Sequence, residues 1–167
     1  MKMKEKKIEF DKRVSVEQVE EGTTLAPKFD ENGVIPCITV HAKTKEVLMF
    51  AYMNEEAMKL TIASGFAHYW SRSRKSLWKK GETSGMYQKI ERILIDDDQD
   101  SLIIEVLLGE PDKGGKEASC HVGYRSCFYR EISKDKNDGK IKLEFTEDKK
   151  SFDPEVVYEG HSNPTKL

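Results

Sequence analysis

A chain of 167 residues is long enough for one domain with a real hydrophobic core. With 37% hydrophobic residues, 35% charged residues and a net charge of -2, it has no overall basic field for nucleic acid and no polybasic membrane anchor. No apolar run reaches the roughly 18–20 residues of a membrane span, the charged start Met1-Lys2-Met3-Lys4 lacks a signal-peptide core, and three cysteines, an odd count, argue against a disulfide framework. The expected setting is cytoplasmic, with neither membrane nor nucleic acid as partner.

Residues up to about Lys12 read as a mobile polar arm. Val14 to Glu21 predicts a short helix with Ser15 as N-cap and Gln18 in the capping-box position, broken by Gly22 and Pro27. Asn32-Gly33 is a turn and a hairpin signal. Val34 to His41 and Glu46 to Tyr52 follow as strands around a Lys43–Lys45 turn, an antiparallel pair. Asn54 to Gly65 predicts a helix marked at both ends: Asn54 as N-cap, Glu55 and Glu56 complementing the dipole, Gly65 past the last turn. Phe66 to Trp70, Tyr87 to Ile95 and Leu102 to Leu108 read as strands. Gly109 to Glu117 reads as a polar loop. Cys120 to Ile132 reads as a turn at Gly123 and then a strand. Asn137 to Lys140 is a hairpin tip leading into Ile141 to Phe145, and the rest, from Glu147, is expected to be loose or draped on the body. The pattern predicts an α+β fold, mostly antiparallel β-sheet with one or two short helices.

Three stretches carry chemistry. Ser71 to Gly85 holds five cations, hydroxyls, glycines and Trp78. It is either a solvated basic loop or a phosphate grip with a stacking ring, and a large indole gains nothing on a purely solvated loop. The Walker and Rossmann glycine spacings are absent. Asp96-Asp97-Asp98-Gln99-Asp100 places four carboxylates in five residues between two apolar runs. Packed carboxylates repel unless solvated in a turn or bound to a hard cation such as Mg²⁺. Read as extended strand, it turns Asp96, Asp98 and Asp100 to one face and Asp97 and Gln99 to the other. Cys120 and Cys127, with His121 beside the first, are soft or borderline ligands suited to Zn²⁺, or else two buried core cysteines; the spacing is not a zinc-knuckle pair. Cys37 lies inside a strand and reads as core.

Taken together, Ala51-Tyr52-Met53-Asn54, Ser71-Arg72-Ser73-Arg74, Leu77 to Gly85, the Asp-x-Asp-x-Asp at Asp96, Asp98 and Asp100, and Cys120-His121 followed by Ser126-Cys127-Phe128-Tyr129 resemble the phosphoribosyl-AMP cyclohydrolases of histidine biosynthesis. The resemblance runs from about Leu25 to Arg130. It divides the chain into an arm and short helix (1–24), a catalytic domain (25–132) and a C-terminal hairpin and tail (133–167). It implies an intertwined homodimer whose zinc sites draw on both subunits, with one Zn²⁺ and one Mg²⁺ per subunit. By the same resemblance Mg²⁺ falls to Asp96, Asp98 and Asp100, and Zn²⁺ to Cys120 and Cys127. Many members carry a cysteine between the first two aspartates, where this chain has Asp97. A carboxylate can bind Zn²⁺ but is a harder ligand, so the third ligand is Asp97 of the partner subunit, or His121, or another residue.

The implied reaction is hydrolytic opening of the adenine ring of 1-(5-phosphoribosyl)-AMP at N1–C6, by a zinc-activated water. His121 is the candidate catalytic acid or base. Arg72, Arg74, Lys79 and Lys80 are candidates for the phosphates, Trp78 for the purine, and Ser84 for a further substrate contact. The nucleotide deaminase signature, which serves attack at the same carbon, is absent. The alternatives are a non-catalytic nucleotide- or metal-binding paralogue and a single-strand nucleic-acid binder using Trp78, which the acidic balance disfavours.

Overall fold

The computed structural model describes residues 7–109 and 117–166. Its centre is a four-stranded sheet, order β2-β1-β6-β5. β1 (Val34–His41) and β2 (Val47–Asn54) form the predicted antiparallel pair, with Ile38 opposite Phe50. β6 (Leu102–Leu108) lies parallel to β1, and β5 (Gln88–Ile95) antiparallel to β6. A bulge between Ile90 and Arg92 interrupts the β5 register. The expected α+β class with mostly antiparallel pairing holds.

The two predicted helices form. α1 (Val16–Glu20) is capped by Ser15, whose side chain accepts from the Gln18 N–H, while Gln18 Oε1 accepts from the Val14 N–H. In α2 (Glu55–Ser64), Asn54 Oδ1 accepts the Ala57 N–H at 2.9 Å, and Gly65 closes the last turn at φ 72° with its N–H on Thr61. Ala57, Met58 and Thr61 turn inward. The core of the molecule lies between one face of the sheet and α2: Ile35, Cys37, Leu48, Met53, Met58, Tyr69, Leu102, Ile104 and Val106. Cys37 is fully buried, as its place in a strand predicts.

Several expectations are corrected. The basic segment is not all loop: β3 (His68–Ser71) and β4 (Ser76–Lys79) form a two-stranded ribbon with Tyr69 opposite Trp78. Tyr69 is buried with Trp78 half-buried against it, and Arg72, Arg74 and Lys75 are exposed at the tip. Ala67 ties the ribbon to β5, accepting from Lys80 N–H and donating to the Gln88 carbonyl. The Asn32-Gly33 turn forms, but only β1 follows it, and no strand precedes it among the described residues. Residues 7–12 are not a free arm: Phe10 stacks on Phe29 with Lys59 over its ring, because an aromatic side chain can be buried even on a polar segment. Residues 120–129 are irregular rather than strand, and β7 (Arg130–Lys134) pairs with β8 (Ile141–Phe145) beyond them. A short helix α3 (Pro154–Val157) was not anticipated. The expected polar loop at 109–117 falls largely outside the described residues.

Candidate active site

The two cysteines meet. Residues 119–127 fold back on themselves: Ser119 N–H donates to the Arg125 carbonyl and Cys120 N–H to the Tyr124 carbonyl, so Cys120 and Cys127 come into side-chain hydrogen-bond contact. Cys120 is buried and Cys127 exposed. The loop is seated on the outer edge of β2, where Cys127 N–H donates to the Leu48 carbonyl at 2.7 Å and Ser126 Oγ to the Val47 carbonyl at 2.8 Å. The hydrogen bond from Cys127, aided by a backbone N–H and the Lys80 charge, outweighs burial and brings the Cys120 thiol down to about 6. Cys127 is pushed up by the same pairing and by the charge on Cys120. One thiolate therefore forms readily and two resist coexistence, as expected for a soft dithiol site that becomes fully ionised only on binding a cation.

Behind this pair runs a buried polar chain. Thr39 Oγ1 and Tyr69 Oη are 2.7 Å apart, Tyr69 donates to Gln88 Oε1 at 2.6 Å, and Gln88 Nε2 donates to Ser119 Oγ at 3.0 Å. All four residues are buried. Lys80 Nζ donates to the Ser119 carbonyl, and burial lowers its pKa against the raising effect of the two cysteines. His121 is lowered too, first by desolvation and then by Lys80.

The predicted substrate residues are spread out. Arg72 lies over the Tyr52 ring at 4.0 Å, and Arg74 Nε donates to Ser71 Oγ at the exposed ribbon tip. Lys79 sits between the rings of Phe66 and Tyr87. Lys80 points instead to the cysteine loop. Trp78 is half-buried, 5.0 Å from the Tyr69 ring. Ser84 accepts from the Met86 N–H and hydrogen-bonds the Tyr158 side chain.

The acidic run is a turn, not an extended strand. β5 ends at Ile95, and Gln99 adopts φ 57°. Asp96 organises the turn: its carboxylate accepts from the Asp100 and Ser101 N–H groups and the Ser101 hydroxyl, and these bonds hold its pKa down against desolvation. The face alternation expected of Asp96, Asp98 and Asp100 is thereby lost. Asp96, Asp97 and Asp98 instead bring ligand oxygens within 4.8 Å of one another, while Lys28 pairs with Asp98 and Asp100 at 3.4 and 3.2 Å. Among the described residues, neither Asp97 nor His121 joins the two cysteines in a three-ligand cluster of that size.

Sequence reasoning passed over Gln88, Ser119 and Gln99. Gln99 Oε1 accepts from the Ala26 N–H and Nε2 donates to the Val19 and Thr24 carbonyls, fixing the N-terminal segment to the acidic turn. The available signal was a glutamine in an otherwise apolar inward pattern on β5, and one amide among four carboxylates. Among the described residues no helix is long and apolar enough to cross a membrane.

The profile of the family described as phosphoribosyl-AMP cyclohydrolase matches residues 49–129, which span the ribbon, the acidic turn and the cysteine loop. A protein named phosphoribosyl-AMP cyclohydrolase from Methanoregula boonei is 53% identical over 134 residues, 80% of this chain and 95% of its own length. One from Rhodopseudomonas palustris (strain BisA53) is 49% identical over 85% of this chain and 92% of its own. One from Caulobacter sp. (strain K31) is 54% identical over 67% of this chain and 80% of its own. Likeness of this extent does not favour a non-catalytic paralogue. The chain belongs to the phosphoribosyl-AMP cyclohydrolase family, enzymes that hydrolyse a carbon–nitrogen bond.

Proposed function

We propose that the protein opens the adenine ring of 1-(5-phosphoribosyl)-AMP at the N1–C6 bond, in histidine biosynthesis, at a site built on Cys120 and Cys127. Water adds to C6, which keeps its exocyclic nitrogen as a carboxamide. The N1–C6 bond breaks, and N1 leaves with a proton as part of the formimino arm. The observation that carries the reading is the paired thiols of Cys120 and Cys127, one of them easily ionised, on a chain of this family.

The donor set fits Zn²⁺: two thiolates, with Asp97 of the partner subunit as third ligand and one position left open. When bound there, zinc supplies a water with a pKa near 7. The chain's own groups do the rest. His121, kept neutral at pH 7 by its lowered pKa, takes a proton. Arg72 and Arg74, at the exposed tip and edge of the ribbon, hold phosphate oxygens, assisted by Lys79. Trp78 walls the purine and Ser84 contacts the nucleotide. Lys80, directed at the Ser119 carbonyl, acts as counter-charge to the cysteines rather than as a phosphate ligand. The oxygens of Asp96 and Asp98, with Asp97 close by and Asp100 released from Lys28, suit Mg²⁺.

A homodimer completes this site. Two features support it. Among the described residues, Asp97 does not group with Cys120 and Cys127 of its own chain within 4.8 Å. Across the outer face of the sheet, Phe50, Ile38 and Ile103 stand side by side in register and are exposed by 47%, 37% and 36%. A contiguous apolar row of this kind calls for a cover, and a second copy bringing its own cysteine loop supplies one. The test is turnover of phosphoribosyl-AMP by chelator-stripped and zinc-restored protein, with its mass in solution measured alongside. Full activity in the stripped protein, or in a monomer, would overturn the corresponding part.

A further inference from the structure

The segment after β8 lies beyond the family match, which ends at residue 129, yet it is bound to the back of the cysteine loop. The Glu147 carboxylate bridges two consecutive peptide N–H groups of that loop: Oε2 accepts from Arg125 and Oε1 from Ser126, both at 2.9 Å. Arg125 is thus clamped through its main chain. Its N–H is held by Glu147 and its carbonyl takes the N–H of Ser119, the neighbour of Cys120, at 2.8 Å. Ser126, held by Glu147 on one side, is tied through its hydroxyl to the Val47 carbonyl of β2 on the other, and the next residue is Cys127. The two amides that Glu147 satisfies therefore belong to the stretch that sets the separation of Cys120 and Cys127.

Three more contacts hold the same segment in place. Thr146 N–H donates to the Tyr129 carbonyl at 2.9 Å and Ser151 N–H to the Gly123 carbonyl at 2.7 Å. Phe152 is buried against Met86 and Ala118. Gly123 sits at φ 108°, and a Cβ there would lie 2.4 Å from the Phe152 carbonyl oxygen, so the segment and the loop are fitted to each other. Glu147's charge opposes ionisation of both cysteines. A negative group so placed does not assist the thiolates electrostatically, and what it contributes is geometry: two charge-assisted hydrogen bonds to peptide groups that would otherwise let the loop relax.

We propose that Glu147 is a positioning residue for the Cys120–Cys127 pair, holding the loop in its metal-binding shape through the amides of Arg125 and Ser126. The inference rests on the proposed zinc site. Groups that orient metal ligands typically cost about 10–100-fold in metal affinity when removed.

Zinc affinity of the full chain is measured by competition with a chromophoric chelator, and the thiolate-to-metal absorption of the cobalt-substituted protein reports ligand geometry. Glu147→Ala is expected to weaken zinc about 10–100-fold and to alter the cobalt band. Glu147→Gln, which keeps one acceptor, should fall between it and the parent. Glu144→Ala, on exposed β8, should match the parent. If Glu147→Ala does not fold, Glu147→Gln gives the same reading. Parent-like affinity and cobalt spectrum in the Glu147 variants overturn the inference even if their thermal stability drops. A parent protein with no zinc affinity, indistinguishable from Cys120→Ser, would instead overturn the zinc-site reading beneath it.

Discussion

The amide of Gln88 and the hydroxyl of Ser119, 31 residues apart, form a 3.0 Å hydrogen bond in a region closed to water. This bond joins the core of the sheet to the residue beside Cys120. It is the last link of the chain from Thr39 through Tyr69, and it places the cysteine loop on a rigid element rather than on a free surface loop.

Breaking that chain should damage both stability and the site. Gln88→Leu leaves the Ser119 hydroxyl without this donor and removes the acceptor of the Tyr69 hydroxyl, which keeps Thr39. An unsatisfied buried polar group costs about 1–3 kcal/mol, so a loss in that range is expected from urea unfolding. Tyr69→Phe should cost a similar amount by stranding Gln88 Oε1. Loss of less than about 0.5 kcal/mol in both variants, within the range of neutral surface changes, would show that the chain is not structurally coupled.

The pairing of the thiols predicts a pH profile in the metal-free protein. Cys120 sits at about 6, below the usual thiol value, because the Cys127 hydrogen bond and then Lys80 favour its thiolate. Thiolate absorbance of the metal-free protein should therefore rise through a midpoint near pH 6. Cys127→Ser and Lys80→Met each remove a stabiliser of the thiolate, so both should move the midpoint upward, the first by more. A midpoint that stays put in Lys80→Met would exclude Lys80 as counter-charge.

Asp97 is tested by two substitutions. If Asp97 of the partner subunit is the third zinc ligand as proposed, Asp97→Cys, which puts a softer thiolate in its place, should tighten zinc while keeping turnover. Asp97→Ala should weaken zinc and slow turnover. An alanine variant with parental zinc affinity would remove Asp97 from the site and make His121 the leading third ligand.

If the acidic turn binds Mg²⁺ as proposed, Lys28 competes with it for the carboxylates. Its two ion pairs, with Asp98 and Asp100, are largely exposed, and solvent screens such pairs so that they add little to stability. Lys28→Ala should therefore change stability little but lower the Mg²⁺ concentration needed for half-maximal activity, since a cation leaves the carboxylates free. A higher Mg²⁺ requirement would contradict this.

Arg72→Ala and Arg74→Ala should each raise KM about 10–100-fold, since a hydrogen bond to a charged group is worth about 1.5–3 kcal/mol. Parental KM in both would return the ribbon tip to a solvated surface.

Local chemistry was legible in the sequence wherever the partners are close along the chain. The caps of α2 at Asn54 and Gly65, the Ser15 cap of α1, and the β1–β2 pair around its short turn all depend on nearby residues and on side-chain periodicity. The tertiary structure alone decided the rest. The parallel pairing of β1 with β6 has no local signal, because its register is set by burial across more than sixty intervening residues. The acidic run became a turn because Asp96 found the Ser101 and Asp100 N–H groups, and because Gln99 in its left-handed conformation found Ala26, Thr24 and Val19, 73 to 80 residues away. Lys80 turned from phosphate candidate to neighbour of the cysteines, and Glu147 from tail residue to clamp, for one reason: a charged side chain is assigned by the groups its atoms meet, and those groups are brought together only when distant segments pack.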